Sequence, residues 1–183
     1  MTTTLSTSLP TATWTIDASH SEVGFTVRHL MSKVRGSFDE FSGQITTTEG
    51  DPARSTVQAT IEMASVNTRN EQRDAHLRSQ EIFHAEAHPQ MTFTSTAVSV
   101  DGDDHRIDGD LTINGVTRPV SLDAEFLGVD TDAYGAVRLG VEATTRISKS
   151  DFGVDFNVPL EGDKLLLGDR VDVTLTIQAT RND

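Results

Sequence analysis

The chain has no cysteine, which excludes disulfides, thiolate nucleophiles, iron–sulfur clusters and cysteine-type zinc sites. Basic residues are scarce. The 15 Lys and Arg stand against 28 Asp and Glu, a formal net charge of −13, which disfavours any partner that is bound through a nucleic-acid phosphate backbone. No apolar run approaches the roughly 18 residues that a membrane-spanning helix needs, so stable membrane insertion is not expected. The motifs G-x-x-x-x-G-K-[ST] and G-x-S-x-G are missing, as is a G-x-G-x-x-G after a strand, so neither a nucleotide nor another cofactor is expected. What remains is 183 residues, 36% apolar and 23% charged, enough for one globular core that needs no metal or crosslink.

The opening tract, Met1 to Thr13, is rich in Thr and Ser and cannot bury enough apolar area to offset chain entropy. A disordered arm over 1–13 and a single domain over 14–183 follow. The tract lacks the basic start and apolar centre of a secretory signal, so a cytoplasmic location is expected, or a periplasmic or secreted one if a leader has been removed.

From Trp14 onward the apolar period is two. Val23, Phe25 and Val27 alternate with Gly24, Thr26 and Arg28, and the pattern returns at Phe41, Gly43, Ile45 and at Val57, Ala59, Ile61. Longer rows follow: Ile107 to Ile113, Val120 to Phe126, Val137 to Ala143 and Val171 to Ala179. Thr occupies many of the interleaved positions, as a β-branched polar residue does on the outer face of a sheet. Short Gly-bearing turns separate the rows, and Asn114-Gly115 is the strongest hairpin signal. About ten strand-like runs with antiparallel connections predict an all-β barrel or sandwich that closes to remove its edges. Small residues among the inward candidates (Gly24, Gly43, Ala59, Gly109, Ala124, Ala143) favour a barrel with a cavity. One stretch differs. Thr68 to Phe83 lacks alternation, Thr68 with Glu71 fits a capping box, and Ser79 can cap a second turn over Gln80 to Phe83, so a short helix is predicted there.

Several polar constellations have plainer readings. His84-x-Glu86-x-His88 abuts Pro89 and reads as a solvated loop before a strand, with no metal expected. Asp101, Asp103, Asp104, Asp108 and Asp110 lack the EF-hand spacing and read as a solubilising turn. Asp17, His20 and Ser21 have the residue types of a hydrolytic triad, but such groups converge from distant positions, so a structural histidine is the reading taken. Arg28 to Arg35 is a basic segment in an acidic chain, either an exposed turn or a seat for a polar headgroup at a barrel mouth.

The words themselves resemble a known family. Trp14-x-Ile16-Asp17-x-x-His20-Ser21-x-Val23-x-Phe25, Val27-Arg28-His29-Leu30-Met31 and Val34-Arg35-Gly36-x-Phe38 are similar to the opening of the YceI-like family. The resemblance continues through Arg73-Asp74-x-His76-Leu77-Arg78-Ser79, Pro89-x-Met91-Thr92-Phe93, Gly109-Asp110-Leu111-Thr112-Ile113, Asp151-Phe152-Gly153 and Gly168-Asp169-x-Val171. It implies an all-β, antiparallel lipocalin-like β-barrel of about eight main strands with one short helix, binding a long isoprenoid or similar amphiphilic lipid without catalysis. Many members are exported to the periplasm and many are dimers, so a homodimer is implied. Lys149 stands where the family often has Arg.

On that reading the candidates for the lumen are Phe25, Val27, Phe38, Phe41, Ile45, Phe83, Phe93, Leu111, Leu122, Phe126, Leu139, Val141, Phe152 and Phe156. Those for the ligand's polar end are Arg28, His29, Arg35, Arg73 and His76. An enzyme using His20, His29 or His76 as general acid or base, and an acidic protein-interaction module, are the alternatives.

Overall fold

The computed structural model describes residues 9–102 and 104–183. The described residues form eleven strands, β1 (Ala12–Ile16), β2 (Glu22–His29), β3 (Ser32–Phe38), β4 (Phe41–Thr47), β5 (Thr56–Glu62), β6 (Val66–Asn67), β7 (Gln90–Asp101), β8 (Asp104–Ile113), β9 (Val116–Thr131), β10 (Val137–Ser148) and β11 (Leu167–Arg181), of which β2, β4, β5 and β8 to β11 fall on the predicted rows. One helix, α1 (Glu71–Arg78), lies between β6 and β7.

All pairings are antiparallel, and β1 is bonded to both β4 and β11, which closes the sheet. The count reduces to eight because three barrel strands are broken in the middle, the third being β5, which β6 continues along β3 after a 3-10 turn at Met63–Ser65. β1 and β2 both lie along β11, at its C-terminal end and its N-terminal half respectively, separated by a 3-10 turn at Ala18–His20. Asp17 caps that turn, accepting from the Ser19 amide at 3.1 Å. β3 and β4 likewise pair with β2 and β1 on either side of Asp39-Glu40. Closure satisfies the backbone groups that an open edge would leave unpaired.

The Asn114-Gly115 turn has both residues at positive φ, 55° and 74°, the geometry whose twist matches a two-residue hairpin. α1 is shorter than predicted and starts differently. Asn70 is the N-cap, accepting from the Arg73 amide at 3.0 Å. Thr68 is instead held by the buried Asp74 carboxylate, which accepts from its amide (2.9 Å) and its hydroxyl (2.6 Å). Gln80 to Phe83 form turns rather than a second helical segment. Of the expected arm over 1–13, residues 1–8 lie outside the described residues. Ala12 and Thr13 belong to β1, and Leu9 packs beside Trp14, so the folded chain begins ahead of Trp14.

Candidate ligand-binding lumen

Within the barrel the inward side chains divide into a filled end and a hollow end. At the filled end Trp14, Leu139 and Ala179 are almost wholly buried and pack with Ile45, and Phe126 and Val141 lean on the same cluster. The Trp14 indole donates to Thr47 Oγ1 at 2.9 Å, so the ring is fixed by a hydrogen bond as well as by packing. Above it a cavity of about 260 Å³ opens between the strands.

Ten of the fourteen lumen candidates line that cavity: Phe25, Val27, Phe38, Phe41, Phe83, Phe93, Leu111, Leu122, Phe152 and Phe156. The other four, Ile45, Phe126, Leu139 and Val141, lie at the filled end under Trp14. They share the inward parity but sit too far along the strands to reach the hollow. The sequence candidates also omit much of the wall. Val171, Val173, Leu175 and Ile177, the inner row of β11, line the cavity, as do Met63, Met91, Leu77 and Ile82. The β11 row was visible as alternation. Met91 shares the parity of Phe93, whereas Met63 on a 3-10 turn, Leu77 on α1 and Ile82 in the turns after it carry no comparable periodic signal.

Of the small residues Ala59 and Gly24 line the cavity, while glycines beside the aromatic rings act differently from the expectation. A Cβ on Gly36 would meet the Phe25 ring at 2.4 Å, and one on Gly109 would meet the Phe93 ring at 2.4 Å. These glycines make room for aromatic rings that lie across the sheet rather than for a ligand. Gly24 is on the outward parity: a Cβ there would point towards Glu22 Oε1.

Among the described residues only two polar side chains lie on the wall, Thr145 and Lys149. Thr145 Oγ1 donates to Ser121 O at 2.7 Å. Lys149 Nζ donates to Val154 O and Phe156 O, each at 3.1 Å, which fixes the ammonium beside the long connection between β10 and β11. An ammonium has three N–H donors, so one direction stays open.

The polar-end candidates scatter. Arg28 faces outward, into a surface groove of about 510 Å³ that it shares with Thr26, Lys33, Arg146, Asp169, Arg170 and Asp172. Arg35 lies opposite Thr26 and so shares that outer face. Neither reaches the lumen. Arg73 donates through Nε to Thr68 Oγ1 (2.7 Å) and through Nη2 to Thr68 O (2.8 Å), which ties α1 to the chain before it. His29 shares the parity of Phe25 and Val27 and pairs with Leu167 at the rim. His76 stands edge-on to Phe156, with ring centroids 4.9 Å apart, and its Nε2 is 2.6 Å from Glu81 Oε2. The alternation in β2 already fixed Arg28 as outward when Val27 is inward.

Asp17 and His20 meet outside the lumen. His20 Nδ1 is 2.8 Å from Asp17 Oδ2, but the same carboxylate accepts from Arg138 Nη1 at 2.8 Å, and Arg138 Nε donates to Asp132 Oδ2 at 2.7 Å. The Arg138 bond, followed by that from Ser19, holds the Asp17 carboxyl far below the ordinary carboxylate range. Ser21 turns away and donates to Gln178 O. The group is an ion-paired clasp joining β1, β10 and β11.

Comparisons with known proteins bear on this arrangement. A family profile described as YceI-like domain matches residues 14–179. A protein named YceI from Escherichia coli O17:K52:H18 is 44% identical over 139 residues, 75% of this chain and 73% of that protein. A Campylobacter jejuni YCEI protein superposes with a TM-score of 0.71 at 30% identity, covering 85% of this chain and 90% of the other. A polyisoprenoid binding domain from Saccharophagus degradans superposes with a TM-score of 0.69 at 19% identity, covering 94% of this chain and all of that domain, a likeness of fold. Given a profile match that runs almost from β1 to the end of β11, with close relatives over three quarters of the chain, this protein belongs to the YceI-like family.

Proposed function

We propose that the protein binds the apolar tail of an amphiphilic lipid, of the polyisoprenoid or isoprenoid-quinone type, in the barrel lumen and carries or stores it without chemical change. The observation that carries this reading is the wall itself: an unfilled, almost wholly apolar cavity whose two polar side chains are already hydrogen-bonded. A void of this character has no use for water and a large preference for hydrocarbon. The solved polyisoprenoid binding domain with the same fold supports the ligand class.

Size limits what the lumen holds. At about 260 Å³ it is less than twice the roughly 150 Å³ void known to admit a benzene ring, so as shaped it encloses a segment on the order of ten carbons. A longer tail extends through the open end or displaces flexible wall residues such as Met63 and Met91. Lys149, through its open N–H direction, and His76 beside Phe156 stand nearest to where a polar end would sit, in place of Arg28 and Arg35. A bilayer is as apolar as the lumen, so exchange between them is nearly balanced, and the protein serves as a carrier rather than a sink. A cytoplasmic location and a homodimer are parts of this proposal.

Mass spectrometry of an organic extract of the purified protein tests it. A long-chain prenyl lipid recovered near one per chain is the expected result. A protein that comes out empty from a lipid-rich host, and that takes up no prenyl lipid when offered one, refutes it.

A further inference from the structure

Among the described residues, seven large apolar side chains are exposed, and four of them meet at one place: Leu30 (50%), Met31 (95%), Val158 (39%) and Leu165 (56%). They are adjacent through the backbone. The Leu30 amide donates to Leu166 O at 2.9 Å, and the Leu166 amide donates to Val158 O at 3.0 Å. Leu30 and Met31 form the tip of the β2–β3 hairpin, between His29 and Ser32. Leu30 holds φ at 53°, a left-handed conformation that Gly or Asn would adopt with less strain. A bulky exposed side chain at such a position, next to a second one that is almost fully bare, contributes nothing to the core. The patch is continuous with the lumen, because Val27 and Leu167, one step inward on the same two strands, line the cavity.

Charge surrounds this tip in an unusual way for so acidic a chain. Arg28 and Lys33 stand opposite each other just behind it, Arg35 follows on the same outer face, and Arg170 joins the groove. Among the described residues none of these four cations is within ion-pair distance of an acid, and the groove's two carboxylates are outnumbered: Asp172 is bonded to Arg146 (2.7 Å) with Lys33 and Arg170 nearby, and Asp169, bonded to Ser150 (2.8 Å), keeps its charge. The connection beside Val158 carries Asp155, Glu161 and Asp163 with Lys164, so the cations gather on the hairpin and β11 side. At the opposite, filled end the strand ends and connections carry Glu49, Asp101, Asp104 and Asp130, together with Asp51 and Asp132, which pair with Arg54 and Arg138. An anionic plane therefore attracts the hairpin side and repels the filled end, which orients the molecule.

We propose that the β2–β3 hairpin tip, with Leu165 and Val158, is a docking surface for an anionic lipid bilayer. Met31 and Leu30 enter the headgroup layer, and Arg28, Lys33, Arg35 and Arg170 lie against lipid phosphates. The inference deepens the lumen reading and rests on it for its purpose: docking in this pose sets the open end of the cavity against the membrane, so a tail passes between two apolar phases with little exposure to water.

Flotation with vesicles of phosphatidylcholine alone and of equal parts phosphatidylcholine and phosphatidylglycerol, at low and high salt, tests it. The wild-type protein is expected to float with the anionic vesicles at low salt and to leave them as salt rises. Each cation near an anionic surface strengthens partitioning roughly fivefold, so the Arg28→Gln/Lys33→Gln variant loses roughly 25-fold. Met31→Ser loses roughly tenfold through the apolar part. Thermal unfolding close to wild type shows that both variants are folded. Absence of flotation, equal flotation with neutral vesicles, or variants that float like wild type overturns the docking surface. The lipid extract separates the two ideas: failed flotation with a loaded lumen overturns docking alone. An empty lumen with salt-sensitive flotation supports docking and overturns the carrier reading.

Discussion

Filling the lumen should stabilise the barrel, and the size of the effect follows from the volume left empty. At about 24 cal/mol per Å³ of unfilled volume, a cavity of about 260 Å³ represents on the order of 6 kcal/mol of packing that an apolar tail can restore. In a chain of this length each kcal/mol moves Tm by about 2–4 °C, so complete filling sets a ceiling of roughly 10–25 °C. The perturbation that isolates this term is Ala59→Phe. Ala59 lines the cavity between Gly43 and Phe93 of the neighbouring strands, so the added ring enters the hollow itself. At about 0.8 kcal/mol per buried carbon the ring gains at most about 5 kcal/mol, less about 1–3 kcal/mol of overpacking strain. Circular-dichroism melts of delipidated and prenyl-lipid-loaded protein are expected to differ by several degrees at least. In Ala59→Phe the delipidated form melts no lower than wild type, and the loading shift shrinks to a small remainder. A wild-type protein that carries lipid by mass spectrometry yet melts within about 2 °C of its empty form would refute the packing argument. So would an Ala59→Phe variant that loads as fully as wild type.

Arg138→Ala removes the cation that depresses Asp17 and Asp132. Because both folded-state pKa values lie below the unfolded value of about 3.9, their stabilisation is complete above that pH and is lost as pH falls through the lowered values. Urea melts should show a gap between wild type and variant that is full at neutral pH and narrows below about pH 4. A gap independent of pH contradicts the ion-pair account. Asn70→Ala removes the helix cap and should cost about 1 kcal/mol in the same assay, and no loss would return the capping role to Thr68. Gly109→Ala drives a methyl into the Phe93 ring and towards Thr94 O, which a Cβ would approach to 2.7 Å. The variant is expected to lose about 1–3 kcal/mol, and wild-type stability would show that the ring has room to move.

The candidate site was legible to the extent that it depends on strand parity. Phe25 and Val27 can be assigned inward and Arg28 outward from a single run of eight residues, because successive side chains on a strand point to opposite faces. The headgroup role for Arg28 and Arg35 conflicted with that alternation, and the structure follows the alternation. Thr68 and Asn70 show the opposite situation. Both have capping chemistry, and what separates them is the buried Asp74 carboxylate, which captures Thr68 from within the helix.

The sequence by itself determined seven of the strands, their antiparallel connections, the presence of a helix before β7 and the family, since period-two rows, an Asn-Gly turn and ordered local words are short-range properties. Only the tertiary structure decided where the barrel is solid and where it is hollow. Ile45, Leu139 and Phe126 carry the same inward parity as Phe38, Leu111 and Phe93, and nothing local distinguishes the two sets. Their fate depends on how far each strand is shifted past its neighbour when β1 closes on both β4 and β11, and on Trp14 filling the axis at one end. Register of that kind is a relation between residues far apart in the chain, and it exists only once the sheet has closed.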